Sequence, residues 1–358
     1  MLDVDYRSVV SRADLIYQTP ARTSVEGLPI GNGVMGTLVW TSPSAIHFQI
    51  NRIDVFSNNK DHKGGWTGGT AGACASITVE LAGRPPFEWS GKDIRQRLSL
   101  YDAEVSIAGN TYDMHWGQSI RVRCFISAVS DVLVLEVVDE RPHPKPLRLT
   151  VSDWKSQAEI RSGDNVARRK FADAAGKILL EQQFEEEKYF CSSAVAAQVV
   201  GVDTPPEVAD EMSRTIVVPA KKGPRTILIS SAAARSPQED VGAAATKLLD
   251  QASRRTYDDL HDEHARWWAG FWSRSTFVHI TSSDGIGEFM ERVRTLHLYN
   301  MAATSRGPVP PKYNGSIFTT RGGPRRAGNQ YWMWTTETIY WPLYVSDAID
   351  LTEPFFKK

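Results

Sequence analysis

The chain has 358 residues, enough for two or three domains at about 150 residues each. Its 41 Lys+Arg nearly cancel 42 Asp+Glu, so no basic field exists to hold a nucleic-acid backbone, and no motif that reads RNA or DNA is present. A composition of 41% hydrophobic and 23% charged residues excludes wholesale disorder, and the longest apolar runs are strand-sized, too short for a membrane helix. Neither a nucleic-acid nor a membrane partner is therefore expected. Cys74, Cys124 and Cys191 are too sparse for a disulfide framework, and no C-x-x-C spacing points to zinc or redox work. The N-terminus, Met1-Leu2-Asp3-Val4, carries no secretory pre-region. The 11 tryptophans are an excess of the residue type that stacks on flat, half-polar ligands such as sugar rings.

From residue 30 to about 233 the dominant period is two. Thr37–Trp40 is the first strand after a glycine-rich turn. Ile46, Phe48 and Ile50 then alternate with His47, Gln49 and Asn51, and the apolar phase slips to Ile53 and Val55, which predicts a bulge at Asn51–Arg52. Ala103–Ile107, then Tyr112, Met114 and Trp116 on one face, then Ile120–Ile126 and Val132–Val138 form an antiparallel meander. Further strands are expected at Leu147–Val151, Ile178–Phe184, Tyr189–Val200, Thr215–Val218 and Arg225–Ser230. Such a run of strands, with almost no helix between them, argues for a large sandwich rather than a parallel α/β sheet. The period then becomes helical, from Val241 through Leu249 and Leu260 to Trp272. After a short strand-like stretch at Thr276–Ile280, a second helix is expected from about Gly285 to Thr304, stopped by Gly307-Pro308 and Pro310-Pro311. One more helix is expected to begin around Thr336–Tyr344, with nothing after it to pack against.

Four segments could carry chemistry. Gly27-Leu28-Pro29-Ile30-Gly31-Asn32-Gly33-Val34-Met35-Gly36 lacks the Lys-Ser/Thr of a phosphate loop and precedes a strand, so it reads as a tight turn feeding the sandwich. Around Asn51, buried polar groups on a bulged strand read as hydrogen-bonded core, and the following Gly64-Gly65-Trp66-Thr67-Gly68-Gly69 is the more site-like part. His261 and His264 at i, i+3 have no third ligand nearby. They read as one solvated and one packing histidine, on a helix anchored by Trp267, Trp268, Phe271 and Trp272. The fourth segment brings Asn314, Gln330, Trp332, Trp334, Glu337 and Trp341 into a non-periodic stretch. Amides that bond hydroxyls, beside rings that stack on C–H faces, suit a sugar. The structural alternative, Glu337 as a helix cap and the tryptophans as core, is of equal weight, and Trp341 is assigned to packing.

Taken together, these motifs resemble glycoside hydrolase family 95. The 27–36 segment with Gln49-Ile50-Asn51 resembles its N-terminal signature. Trp267-Trp268-x-x-Phe271-Trp272-Ser273-Arg274-Ser275 resembles the linker helix of that family and of family 65. Pro310-Pro311-Lys312-Tyr313-Asn314-Gly315, with Thr336-Glu337-Thr338-Ile339-Tyr340-Trp341-Pro342, resembles the opening of the catalytic barrel. Uncharacterised bacterial proteins of the same superfamily look closer still. The resemblance implies a mainly β chain with a helical C-terminal part: a β-super-sandwich over 1–235, a helical linker over 236–305, and an incomplete start of an (α/α)6 barrel over 306–358. It also implies a periplasmic or secreted location.

Two departures qualify it. The paired asparagines that position the attacking water in family 95 fucosidases correspond to Met333 and Thr335. The general acid and the aspartate partnering that water would lie beyond residue 358, so the resemblance leaves the catalytic residues of this chain unknown. The expectation is a glycoside hydrolase, or an N-terminal fragment of one, that acts on an oligosaccharide or glycoconjugate without metal or cofactor. The alternative is a non-catalytic carbohydrate-binding or structural sandwich. Substrate-binding candidates are Asn51, Trp66, Asn314, Gln330, Trp332 and Glu337, expected where the sandwich loops meet the helical segment.

Overall fold

A computed structural model describes residues 4–55, 73–88, 94–110, 119–154, 168–186, 189–320 and 333–357. After a short helix α1 (Tyr6–Ser11) the first strands are β1 (Leu15–Tyr17), β2 (Leu28–Gly31), β3 (Met35–Ser42), β4 (Ala45–Arg52) and β5 (Ala73–Leu81). Then come β6 (Arg95–Ser99), β7 (Glu104–Gly109), β8 (Ile120–Ile126), β9 (Val132–Asp139) and β10 (Leu147–Ser152). The rest are β11 (Arg168–Phe171), β12 (Lys177–Glu186), β13 (Tyr189–Val199), β14 (Glu207–Asp210), β15 (Ser213–Val218) and β16 (Gly223–Ala234). The expected strand through Tyr112, Met114 and Trp116 lies outside the described residues.

The strands form two antiparallel sheets. One is nine-stranded, in the order β1-β6-β7-β8-β9-β16-β13-β12-β11, and the other seven-stranded, in the order β14-β15-β10-β5-β4-β3-β2. Alternation decides which side chains meet between them. Leu133, Leu135 and Val137 of β9, with Val195 and Ala197 of β13, join the core that also holds Ile77 and Val79 of β5 and Leu149 of β10. Val132, Val134, Ala194 and Ala196 point to the opposite side, into a second cluster. Each fully buried Val or Ile contributes about 1.5–3 kcal/mol, and a one-residue slip would turn a whole set outward, so the register is firmly specified.

The bulge sits close to its expected place but on the partner strand. The β4–β5 register shifts between Ile50 and Asn51, with Cys74 of β5 as the extra residue. The apolar phase slip itself reflects the end of β4 at Arg52, after which Ile53 and Asp54 make a turn. The segment read as a turn at 27–36 also contains a strand, β2, whose Pro29 is tolerated because β2 is the last strand of its sheet.

The helical period from Val241 to Trp272 is divided between α2 (Val241–Ser253) and α3 (Tyr257–Arg274). The break has a local cause. Thr256 caps α3 by accepting from the Asp259 main-chain N–H, while the Asp259 carboxylate accepts from the Thr256 main-chain N–H. Helix α2 lays Val241, Ala245, Leu249 and Ala252 on the outer face of the nine-stranded sheet. Trp268, Phe271 and Trp272 of α3 instead join the main core. The expected strand at Thr276–Ile280 is absent: the segment is unpaired chain, tied by Thr276 N–H to Ser346 O and by Ile280 N–H to Glu291 Oε2. Helix α4 (Ile286–Thr304) follows. It buries Leu298, Tyr299, Met301 and Ala302 but leaves Ile286, Phe289, Met290 and Val293 exposed.

The last described stretch contains α5 (Met333–Glu337), α6 (Trp341–Tyr344), a 3-10 turn at Ile349–Thr352 and α7 (Glu353–Phe356). Contrary to expectation, this stretch has packing partners. The Tyr340 ring lies 5.1 Å from that of Phe355, and its hydroxyl shares a 2.9 Å hydrogen bond with Ser305. The residue assigned to packing, Trp341, is 56% exposed, whereas Tyr340 beside it is 1% exposed. The packing role expected of Trp341 falls to Tyr340.

Candidate functional site

The sandwich meets the helical part along the β2–β3 hairpin and the end of β4. In the turn between β2 and β3, Gly33 takes φ +91°, a left-handed conformation that favours glycine. Asn32 fixes the turn, its Oδ1 accepting from the main-chain N–H groups of Val34 (3.0 Å) and Met35 (2.8 Å). Its Nδ2 donates to Asp131 Oδ1 (2.9 Å) and Ser130 O (3.0 Å). The Gly33 N–H donates to Ala303 O at the end of α4 (2.7 Å), and the Arg306 N–H donates back to Gly33 O (3.3 Å). A Cβ at Gly31 would stand 2.5 Å from Ala303 O, and one at Gly36 would stand 2.6 Å from Ile317 Cγ2. The glycine-rich motif thus serves close approach of main chain to helix, not a phosphate.

Beside this turn, Arg52 is buried and binds Asp54 in bidentate fashion (2.9 Å for each bond), Asp131 (2.8 Å) and Ser231 O (2.9 Å). Burial alone would lower its pKa, but the Asp54 and Asp131 carboxylates more than reverse that and raise it. Both Asp54 oxygens and both Asp131 oxygens are engaged by Arg52 or Asn32. This carboxylate pair is a fastening, because each of its oxygens already accepts from Arg52 or Asn32.

Asn51 proves to be a strap. Its Nδ2 donates to Ile317 O (2.8 Å) and Thr319 O (2.7 Å), and its Oδ1 accepts from Gln49 Nε2 (3.0 Å), which also reaches Thr319 O (3.1 Å). It therefore brings the 312–320 segment, with half-buried Asn314, against the edge of the sandwich. Glu337 is half-buried at the last position of α5, so it does not cap the start of that helix. Among the described residues no hydrogen bond joins Glu337 to Asn51 or Asn314. Trp66, Gln330 and Trp332 lie outside the described residues.

Two cations at this junction escaped the sequence reading. Burial pushes Lys312 down to about 8 and Arg306 down to about 9. The Arg306 guanidinium lies 3.8 Å from the centroid of Trp267 and donates to Ala302 O (2.9 Å) and Ala128 O (3.1 Å). Nothing in Ser305-Arg306-Gly307 or Pro311-Lys312-Tyr313 signals burial, since a lone cation in a loop is ordinarily solvated. Two aromatic residues near Glu337 were likewise placed wrongly or passed over. Trp334 is 75% exposed and Trp341 56% exposed, three residues before and four after the carboxylate.

The histidine pair has no metal-binding geometry. Fully buried His264 meets Asp102 O (2.8 Å) through Nε2 and accepts at Nδ1 from the Ala128 N–H (3.2 Å). His264 is thus the packing histidine, while His261 is half-buried rather than solvated and pairs with Glu104 at 3.3 Å. Among the described residues no cluster of three or more His, Cys, Asp or Glu is placed to hold a metal, and no helix is long and apolar enough to cross a membrane. All three cysteines are buried.

A family model described as a domain of unknown function (DUF5703) matches residues 16–191. No curated protein matches the chain. Among solved structures, the chain is similar to a protein assigned as a kojibiose phosphorylase from the human microbiome, at 11% identity and a TM-score of 0.59, over 86% of this chain and 44% of that one. It is also similar to an inverting mannosidase of family GH92 from Bacteroides thetaiotaomicron, at 9% identity and a TM-score of 0.47, over 86% of this chain and 40% of that one. The chain thus spans less than half the length of either protein. The first likeness establishes the fold: a mainly β sandwich with C-terminal helices.

Proposed function

We propose that this chain binds an oligosaccharide or glycoconjugate beside Glu337, and that it is part of a glycoside hydrolase of the family-95 type. The observation that carries the reading is the exposure of Trp334 and Trp341, three residues before and four after half-buried Glu337 in the sequence. Exposed indole faces stack on the C–H faces of a sugar, and a carboxylate accepts from its hydroxyls. Asn314, with Trp66, Gln330 and Trp332, belongs to the same proposed surface. Asn51 supports it from behind, as the strap that holds the 312–320 segment. The exposed apolar stripe of α4 suits packing against further helices, as a helical barrel would supply.

Cleavage of a glycosidic bond by this route needs two carboxyl groups flanking it, with room for a water in the inverting case. Glu337 supplies one candidate, whereas Asp54 and Asp131 are tied to Arg52 and Asn32. Met333 and Thr335 stand where paired amides would position the water. This geometry favours a second reading, a carbohydrate-binding sandwich without catalysis of its own.

Calorimetric titration of the 358-residue chain with a panel of fucosylated and other neutral oligosaccharides tests binding. Glu337→Gln and Trp334→Ala should each weaken it about tenfold or more with little change in melting temperature, since one stacked ring or charged hydrogen bond is worth about 1–3 kcal/mol. Unchanged affinity in both variants returns these residues to a structural role. An assay with an aryl α-L-fucoside separates the two readings: the chain alone is expected to be inactive, and robust turnover would show that it already holds a working acid/base pair.

A further inference from the structure

The outer face of the nine-stranded sheet is divided. Helix α2 and the first turns of α3 cover the half that contains Val134, Ala194 and Leu228, and among the described residues no element covers the half formed by β6, β7 and β8 with the end of β9. Its outward side chains stand in two rows set by the strand register. In one row Arg97 faces Ser106, which faces Arg123, which faces Glu136. In the other Arg95 faces Ala108, which faces Arg121, which faces Val138. The small residues all fall on β7, the middle strand. The result is a trough of about 420 Å³ with Ser106 and Ala108 as its floor, Arg95 and Arg97 along one wall, and Arg121 and Arg123 along the other. Strands stand about 4.8 Å apart and rise about 3.4 Å per residue. The walls are therefore about 10 Å apart at their bases, and successive arginines on one wall are about 7 Å apart.

The carboxylates present do not use up these guanidinium groups. Asp14 holds Arg97, Glu136 meets Arg123 at 3.0 Å with Asp258 at 3.9 Å, and Glu140 stands 3.7 Å from Arg121. Among the described residues Arg95 has no carboxylate at ion-pair distance. Each guanidinium has five N–H donors, so one or two carboxylate contacts leave donors for a ligand. Guanidinium groups recognise planar carboxylates by paired hydrogen bonds. The floor offers one hydroxyl at Ser106 and aliphatic surface at Ala108 and Val138, which fits the edge and C–H face of a sugar ring. A nucleic-acid strand would want aromatic platforms on the floor. Among the described residues the ring at this trough is Tyr257, which lies 4.5 Å from the Arg123 guanidinium and is covered by it.

We propose that this trough is a second saccharide site, specific for an acidic chain, namely a uronate-containing oligosaccharide whose carboxylates bridge the two arginine walls. It is separate from the surface around Glu337 and does not depend on that surface binding anything.

The test is calorimetric titration of the full chain with trigalacturonate at low ionic strength and again at about 0.15 M salt, where surface attraction is screened beyond about 8 Å. Saturable binding is expected, weakened at least tenfold in the Arg95→Ala/Arg121→Ala double variant and unchanged in Glu337→Gln. The methyl-esterified, uncharged trisaccharide should bind at least tenfold more weakly than the acid. Arg95 and Arg121 are both exposed, so the double variant should melt with the parent. If it does not, Arg121→Gln alone should still show the loss. No saturable binding by the parent, equal binding by the variants, or equal binding of the ester overturns the proposal. So does a sulfated oligosaccharide or a short oligonucleotide that binds as tightly as the uronate.

Discussion

The Asn51 side chain donates to the carbonyl oxygen of Thr319 at 2.7 Å, joining the end of β4 to a segment 268 residues further along the chain. The same amide reaches Ile317 O, so one buried side chain satisfies two main-chain acceptors of a segment that has no strand or helix of its own there.

Replacing Asn51 by Leu strips Ile317 O of this donor and leaves Thr319 O with Gln49 Nε2 alone, and a buried unsatisfied polar group costs about 1–3 kcal/mol. Asn51→Leu is expected to lower unfolding free energy by at least that much in urea titrations. Any loss of saccharide binding should follow from displacement of the 312–320 segment. A variant of normal stability that had nevertheless lost binding would instead make Asn51 a direct ligand contact.

The neighbouring pair Tyr340 and Trp341 separates burial from aromatic content. Tyr340→Ala removes a buried ring packed on Phe355 and the hydrogen bond to Ser305, and a buried aromatic cut to alanine typically costs about 3–5 kcal/mol. Trp341→Ala should stay within about 0.5 kcal/mol, as exposed positions do. Thermal melts of the two variants should therefore differ by many degrees, and equal destabilisation would contradict the exposure of Trp341.

Strands whose apolar residues alternate cleanly were legible before the structure, as in β8 and β9 and in the span of β13. Those missed are strands whose signal is muted. β5 opens on Ala73, Cys74 and Ala75, which are small on both faces, and β6 alternates arginine and glutamine with a single leucine. Helix α4 was placed within a residue of its observed start because Gly285 and the glycine-proline run bracket it. The α2–α3 break was not, because apolar spacing continues across a capping box whose polar residues look like an ordinary helix surface. The candidate site was legible only as a neighbourhood. Hydrogen bonding to distant main chain gives Asn51 its role, and long-range burial gives Lys312 and Arg306 theirs, and neither leaves a local pattern.

The sandwich and the helices share one core, which bears on whether the division at residue 235 marks an autonomous unit. Trp268, Trp272, Tyr299 and Met301 pack in the same cluster as Leu28, Ile30 and Val105, and α2 covers the outer face of β13 and β16. A fragment of residues 1–235 keeps every described strand, so its circular dichroism is expected to be strand-dominated. Its melt should be cooperative but well below that of the full chain, and it should bind an apolar dye that the full chain does not. A mostly helical spectrum would refute an autonomous β domain, and a melt equal to that of the full chain would refute the shared core.

Acid sensitivity should centre on His264. Burial lowers its pKa to about 3, main-chain hydrogen bonds with Asp102 and Ala103 oppose that shift, and the charges of His261 and Arg306 add to it. The folded protein therefore keeps this ring neutral at pH values where the unfolded chain, with an ordinary pKa of 6.5, takes up a proton. The stability from a neutral His264 is fully present above that pH and is lost progressively as pH falls from 6.5 toward 3. A single proton difference changes unfolding free energy by at most about 1.4 kcal/mol per pH unit, so roughly 2–3 kcal/mol should disappear by about pH 4.5, before most carboxylates titrate. His261 works in the opposite sense. Its bond to Glu104 raises its pKa, so its contribution is complete below the ordinary value and fades as pH rises through the folded one. Urea unfolding of the parent, His264→Gln and His261→Gln from about pH 8 to about pH 4.5 resolves the two. The first variant should flatten the loss of stability below pH 6.5, and the second should remove the gain that the parent shows as pH falls toward 6.5 while leaving the acid limb in place. A His264→Gln profile parallel to that of the parent would mean that another group governs the acid limb.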